Sequence, residues 1–312
     1  MTAACLAVAP NAFAQHRKHR ERAPVDTVKE APEIKPDVLT LRYKPQAGTL
    51  LYNIKTEINQ HVRTDRIEMT GMLTSVAQLA LHNVSIDYKK GHWSFDRYFT
   101  RFEISGHQLT GDSLSLRENQ AVNRITRLTF DMRGNELVRD VIDSIKLFNA
   151  EAQTNAYFFQ PPRMLIPLPE YGVTYGDAWQ EHTTDTIAVR DTVNIGITTG
   201  SFVYDVSRTY QLARLLDTMG SYLAMIVAVD SGQFSGHQSN TVTGAALRTH
   251  GPLSGSDTTY LDLFSGRVLK RSSHMAIPAS VEVANSVPFT DRLDVRSVVS
   301  LSESNAKKIG ED

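Results

Sequence analysis

Histidines, paired carboxylates and activated hydroxyls carry most catalysis, and this chain offers each of them in a weak form. The ten histidines are His16 and His19 near the N-terminus, then His61, His82, His92, His107, His182, His237, His250 and His274. From His61 onward no two stand at i, i+2 or i, i+4, the spacings that place two ligands on one face of a strand or helix. No metal site is therefore expected. Asp131 and Asp262 each precede a glycine turn. As a pair they would suit glycoside hydrolysis, which sets two carboxyl groups across the scissile bond. An aspartate in that position more commonly hydrogen-bonds the turn backbone. Gly196-Ile197-Thr198-Thr199-Gly200 imitates a nucleophile elbow with Thr198 at its centre, but the residues after it read as strand, so it reads as a hairpin turn. HExxH, G-x-S-x-G and glycine-rich phosphate loops are absent. These residues give no cofactor and favour a non-catalytic protein. The alternative is a hydrolase of envelope polymers whose acids or histidines meet only on folding.

The most usable binding feature is an aromatic run, Trp93, Phe95, Tyr98, Phe99 and Phe102. Trp93, Phe95 and Phe99 are the candidate ligand-binding residues, because aromatics on a concave sheet can hold acyl chains or sugars. Arg97 and Arg101 share their parity, which makes that face mixed. The competing role for these rings is core packing.

The elements that must position these residues are mostly strands. Leu50, Tyr52, Ile54, Ile58 and Val62 fall on one face of a long alternating run. Ile67, Met69, Leu73, Ala77, Leu79 and Leu81 form a second. Val84, Ile86 and Tyr88 then change register, which predicts a bulge or turn near Asn83. Lys89-Lys90-Gly91 fits a turn into the aromatic strand. Phe202 to Leu212 and Leu293 to Leu301 alternate likewise, and the apolar run Tyr222–Val229 reads as a strand covered on both faces. One helix is expected between Val141 and Phe159, ended by Pro161-Pro162.

Leu128–Val138 and Thr259–Leu269 share a hairpin signature, and Gly48–Tyr52 resembles Gly176–Trp179. The expected fold is thus mainly β, with two related antiparallel curved-sheet halves, half-barrel or sandwich-like, and one or few helices. The halves are 38–160 and 171–304, joined by a proline-rich bridge at 161–170, with a disordered tail at 305–312.

Residues 1–14 read as the remnant of a signal peptide, with the small-x-small site Ala12-Phe13-Ala14 placing cleavage between Ala14 and Gln15. No Lys or Arg precedes Cys5, so a start upstream of Met1 is expected. Cys5 is the only cysteine. Its context weakly resembles a lipobox, an alternative route to a lipid anchor. Cleavage at Ala14 would leave a mature chain with neither disulfides nor thiolate chemistry. Residues 15–37, basic at Arg17, Lys18, Arg20 and Arg22 and rich in proline, read as a flexible linker. At 41% hydrophobic and 21% charged the composition is that of a globular protein, and the net charge of −1 gives no field for nucleic acid. No apolar run reaches the ~18–20 residues of a transmembrane helix.

Leu168-Pro169-Glu170, Val173, Gly176-Asp177 and Trp179, with Leu41-Arg42-Tyr43, Gly48 and Tyr52, resemble segments of a family of uncharacterised exported bacterial proteins. Some of its members are similar in architecture to lipoprotein-carrier half-barrels of the LolA type. The resemblance implies a curved antiparallel sheet around helices, with structural roles for Gly176 and Trp179 and no catalytic residues. The expectation is an exported periplasmic or envelope protein, a binder or scaffold. Its partner would be a lipid, another hydrophobic ligand or an envelope protein. A structural surface protein acting through sheet edges is the further alternative.

Overall fold

The computed structural model describes residues 38–302, apart from 108, 110, 112, 118–121, 142–162, 192–197, 219, 220, 241, 243, 245 and 285. The expected helix falls in 142–162, outside the described residues, except that Val141 ends a strand. Among the described residues there is no helix and there are twelve strands. They are β1 (Thr49–Arg63), β2 (Glu68–Asp87), β3 (His92–His107), β4 (Ser113–Arg117), β5 (Thr126–Asp131), β6 (Glu136–Val141), β7 (Ala178–Asp191), β8 (Thr198–Thr218), β9 (Ser221–Asn240), β10 (Ala246–Asp262), β11 (Arg267–Val283) and β12 (Phe289–Leu301).

All twelve belong to one curved antiparallel sheet that does not close, in the order β6-β5-β3-β2-β1-β12-β11-β10-β9-β8-β7, with β4 added on β3. The two expected halves do not form separate sheets. They join through β1 and β12, paired from Tyr52–Leu301 to Arg63–Thr290.

Alternation explains which face is buried. Tyr52, Ile54, Ile58 and Val62 of β1 turn inward, as do Phe202, Val206, Tyr210 and Leu212 of β8. The predicted change of register near Asn83 is a shift between Asn83 and Ser85 in the β2–β3 pairing. The reading of Tyr222–Val229 as covered on both faces is corrected. Ala224, Ile226 and Ala228 are buried, whereas Tyr222 and Val229 are exposed. Leu223, Met225 and Val227, of the opposite parity, are half-buried. Elsewhere the convex face mixes charged pairs, Lys55 with Glu57 and Arg101 with Glu103, with the exposed apolar side chains of Met72, Val76 and Val298.

A curved sheet needs something on its concave face. Two extended segments supply it. The first runs through Leu41 and Tyr43, the second through Met164, Leu165, Ile166, Leu168 and Val173, all buried. Within the proline-rich bridge, Met164 to Pro169 are therefore part of the core. Its prolines suit this place, since a strap lying across strands needs few backbone donors. The two straps pair at Leu39 and Val173 (2.7 and 2.8 Å). The Tyr43 hydroxyl donates to the Ile166 carbonyl (3.0 Å) and accepts from the Ile166 N–H (2.9 Å). The second strap also reaches both sheet edges. Leu168 N–H donates to the Arg133 carbonyl in the β5–β6 turn (2.7 Å), and Trp179 Nε1 of β7 donates to the Pro167 carbonyl (2.7 Å).

The two echoing hairpins converge on the first strap. Tyr43 N–H donates to the Met132 carbonyl and Lys44 N–H to the Gly266 carbonyl. Gly134 and Gly266 both have positive φ, +84° and +63°. A Cβ at Gly134 would also stand 2.5 Å from the Tyr43 ring and 2.6 Å from the Ile166 carbonyl oxygen.

Tyr43→Phe leaves a buried N–H and C=O of Ile166 unpaired and is expected to cost about 1–3 kcal/mol in urea unfolding. Gly134→Ala is expected to cost more, because the strap must shift. Unchanged midpoints would contradict this packing.

Candidate functional site

The sequence candidates Trp93, Phe95 and Phe99 all turn inward and are buried. The Phe95 and Phe130 rings stack at 5.4 Å and 3°, and Trp93 lies 5.1 Å from Phe95. Phe99 packs on Phe102 at 5.1 Å. The Trp93 indole donates to the Asp131 carbonyl (3.1 Å). These rings pack in two groups, Trp93–Phe95–Phe130 and Phe99–Phe102, within the one hydrophobic core. The expected mixed face holds for Arg97 and is corrected for Arg101: a register shift between Gln78 and Leu79 separates the two arginines. Arg97 remains on the Trp93 side, where burial and the neighbouring Arg139 lower it to about 10. Arg101 is exposed and pairs with Glu103 (3.0 Å).

Asp131 and Asp262 share no hydrogen-bond partner, although their turns meet adjacent residues of the first strap. Asp131 Oδ1 accepts from the N–H groups of Arg133 and Asn135, both 2.9 Å. Asp262 accepts from the Phe264 N–H (2.9 Å) and the Ser265 hydroxyl (2.6 Å). Each carboxylate holds its own turn. Thr198 begins β8, opposite Asp191. His61 pairs with Glu68, His182 with Asp205 and His274 with Asp294, and His61 and Asp294 line one surface pocket with His107. Among the described residues no three His, Cys, Asp or Glu side chains could hold a metal ion. Cys5, Ala14 and Gln15 lie outside the described residues.

The densest chemistry lies elsewhere, on the inward face of β7–β11 beneath the second strap. One row of the sheet runs Glu181–Arg208–Asp230–Gly255. Arg208 lies 3.4 Å from Asp230 and 3.9 Å from Glu181. Glu181 also pairs with Arg163 of the strap and accepts from the Tyr210 hydroxyl (2.9 Å). The neighbouring rows contribute Asp257 and Arg271, both almost fully buried and paired Nε to Oδ2. The other arm of Arg271 donates to the Arg163 carbonyl, and the Thr259 hydroxyl donates to Asp257 (3.0 Å). Arg163, Arg208 and Arg271 thus face Glu181, Asp230 and Asp257, equal in charge.

Gly255 belongs to this arrangement, since a Cβ there would stand 3.2 Å from Asp230. Burial pushes the Asp230 carboxyl up more strongly than Arg208 pulls it down. Burial likewise raises the Tyr210 and Tyr43 hydroxyls, so both stay neutral and act as hydrogen-bond donors. Every guanidinium of the cluster is engaged by a carboxylate, and two of them hold the strap. Chemically this is a clamp.

Sequence reasoning passed over this cluster, although its parity was readable. Arg208 sits between Val206 and Tyr210, Asp230 follows Ile226 and Ala228, and Asp257 stands between Leu253 and Leu261. A charge at an inward position of an apolar alternation needs a partner across the sheet.

No protein-family model and no curated protein matches the chain. Among solved structures, DynF from the dynemicin biosynthesis pathway of Micromonospora chersina is similar over 88% of this chain and 91% of its own, at 8% identity and a TM-score of 0.22. A loop L8 deletion mutant of OmpT, an outer membrane protein of Vibrio cholerae, is similar over 81% and 99%, at 7% identity and a TM-score of 0.17. Likenesses this weak carry no argument about fold or function.

Breaking the Asp257–Arg271 pair by Arg271→Met alone strands a buried carboxylate and is expected to cost about 3–5 kcal/mol. The double variant Arg271→Met, Asp257→Leu should recover much of that loss. If the two changes simply add in urea unfolding, the pair does not hold the strap.

Proposed function

We propose that this chain is a non-catalytic binding protein exported to the cell envelope, taking a hydrophobic ligand within its curved sheet. The observation that supports this is the inward face beyond the clamp. There Val62, Val206, Phe234, Leu253, Ile277 and Leu293 are apolar and buried. Glycines share those rows, Gly232 opposite Val206 and Leu253, and Gly251 opposite Phe234. A chain-like guest entering here would part these packed apolar side chains, and the polar groups it would meet are Gln60 and Asp291, which are bonded to each other. Outside the clamp, the straps reach the sheet at the other end, through hydrogen bonds to the turns at 132–135 and 263–266 and to the start of β7.

The envelope-hydrolase alternative would rest on Asp230 and Asp257, the two acids nearest to each other in the clamp. Asp257 is almost wholly buried against Arg271, which leaves a polymer no approach to it. The edge-contact alternative is favoured by β7, fourteen residues paired without interruption to β8 on one side and last in the sheet order on the other. The two echoing hairpins, each with an aspartate cap and a positive-φ glycine, support a duplicated origin for the halves. Export rests on the N-terminal residues.

Native mass spectrometry of protein purified from its own envelope tests the reading. A stoichiometric lipid-sized adduct is expected, lost on delipidation and regained with a long-chain fatty acid. A bare chain that takes up no such probe after delipidation would overturn it. Dimers without adduct would favour the β7 edge.

A further inference from the structure

Tyr88 and Phe264 are the most exposed large apolar side chains of the described residues, at 73% and 77%. Neither packs a core, and both stand in turns, Tyr88 between β2 and β3 and Phe264 between β10 and β11. The two turns are far apart in sequence, yet the first strap joins them. Lys44 Nζ donates to the carbonyls of Leu263 and Phe264, both 3.0 Å. The Tyr88 hydroxyl donates to the carbonyl of the next residue, Pro45 (3.4 Å). Arg267 then bonds the Gln46 side chain, beside the same turn.

Cations surround these rings. Lys89 and Lys90 are exposed in the Tyr88 turn. The Asp87 carboxylate is folded back onto their backbone N–H groups (both 3.1 Å). Lys44, Lys89, Lys90 and Arg267 therefore face Asp87 at the surface and Asp262 buried beneath it, in a chain whose overall net charge is −1. Other exposed apolar side chains of the outward face, Met72, Val76, Val229 and Val298, are each less exposed than these two rings.

We infer that this end of the sheet is a docking surface for an anionic lipid bilayer. Aromatic rings on separate protruding tips, each beside lysines, suit the headgroup layer. There the ring enters the boundary and the ammonium meets phosphate. Lysine stems can lie along the apolar boundary while their charges stay in water. A protein partner fits less well, because the cores of protein interfaces are depleted in lysine and built around packed pockets. The inference goes beyond a ligand inside the sheet and does not depend on it.

The test is co-sedimentation of the full chain with vesicles of phosphatidylethanolamine and phosphatidylglycerol, against phosphatidylcholine alone. Binding to the anionic vesicles that falls with salt is expected. Phe264→Ser and the double variant Lys89→Glu, Lys90→Glu should each weaken it, the latter by at least about tenfold. Both changes lie on exposed turns, and unchanged urea midpoints would show that the fold is kept. As a second readout, the tryptophan of Phe264→Trp should shift its emission to the blue on anionic vesicles and stay unshifted with neutral ones. Absence of binding to anionic vesicles at low salt would overturn the inference. So would binding that both variants leave intact, which would place the contact elsewhere, for instance in the basic residues 17–22.

Discussion

The structure depends on one reciprocal contact, the Tyr43 hydroxyl giving a hydrogen bond to Ile166 and taking one back. An open antiparallel sheet has two problems that a closed barrel lacks. Its concave face must be filled, and its edges carry unpaired backbone groups. The two straps answer the first, while β7 stays last in the sheet order. Their apolar side chains fill the face at Leu41, Met164, Leu165, Ile166 and Leu168. Their backbones tie the β5–β6 turn, near one edge, to β7 at the other. The hydroxyl matters because it pairs both polar groups of a strap residue that has no strand neighbour. Without it the strap would bury an amide with no partner, at a cost comparable to that of a lost hydrogen bond.

The ionic clamp extends the same logic. Charges beneath the strap are costly to bury, and hydrophobic residues of similar volume would often be as stabilising. What charges add is geometric selectivity. Arg163 meets Glu181 on β7 through its side chain and Arg271 on β11 through its carbonyl, so the strap has one seating across five strands. An all-apolar seat would let it slide. The equal numbers of arginines and acids, with Tyr210 and Thr259 supplying further donors, keep the cluster satisfied apart from Asp230 Oδ1, which contacts Arg208 only at 3.4 Å.

Much of the sheet was legible because period-two alternation is a local signal. The inward set of β1, the register change near Asn83 and the hairpins at Asp131 and Asp262 could all be read from neighbours in sequence. What could not be read was anything decided across the sheet. Tyr222–Val229 looks the same whether one face or two is covered, since apolar residues may stay exposed. Arg97 and Arg101 were assigned to one face because the extra residue that separates them is visible only against β2. The strap was read as a bridge between two halves because prolines mark connections, and nothing local says that Ile166 will lie against Tyr43, 123 residues away. The clamp residues were individually visible as charges in apolar registers. Their mutual partners were not, because β7 to β11 come together only once the sheet is formed.

The central claim is that the second strap is an integral part of the folded sheet. Hydrogen exchange at the Ile166 and Leu168 amides tests it most directly, because these amides are bonded to the Tyr43 hydroxyl and the Arg133 carbonyl. The account predicts that both exchange only through global unfolding, with the same protection as the amides of β1 and β12. Strap amides that exchange freely while β1 and β12 stay protected would contradict it.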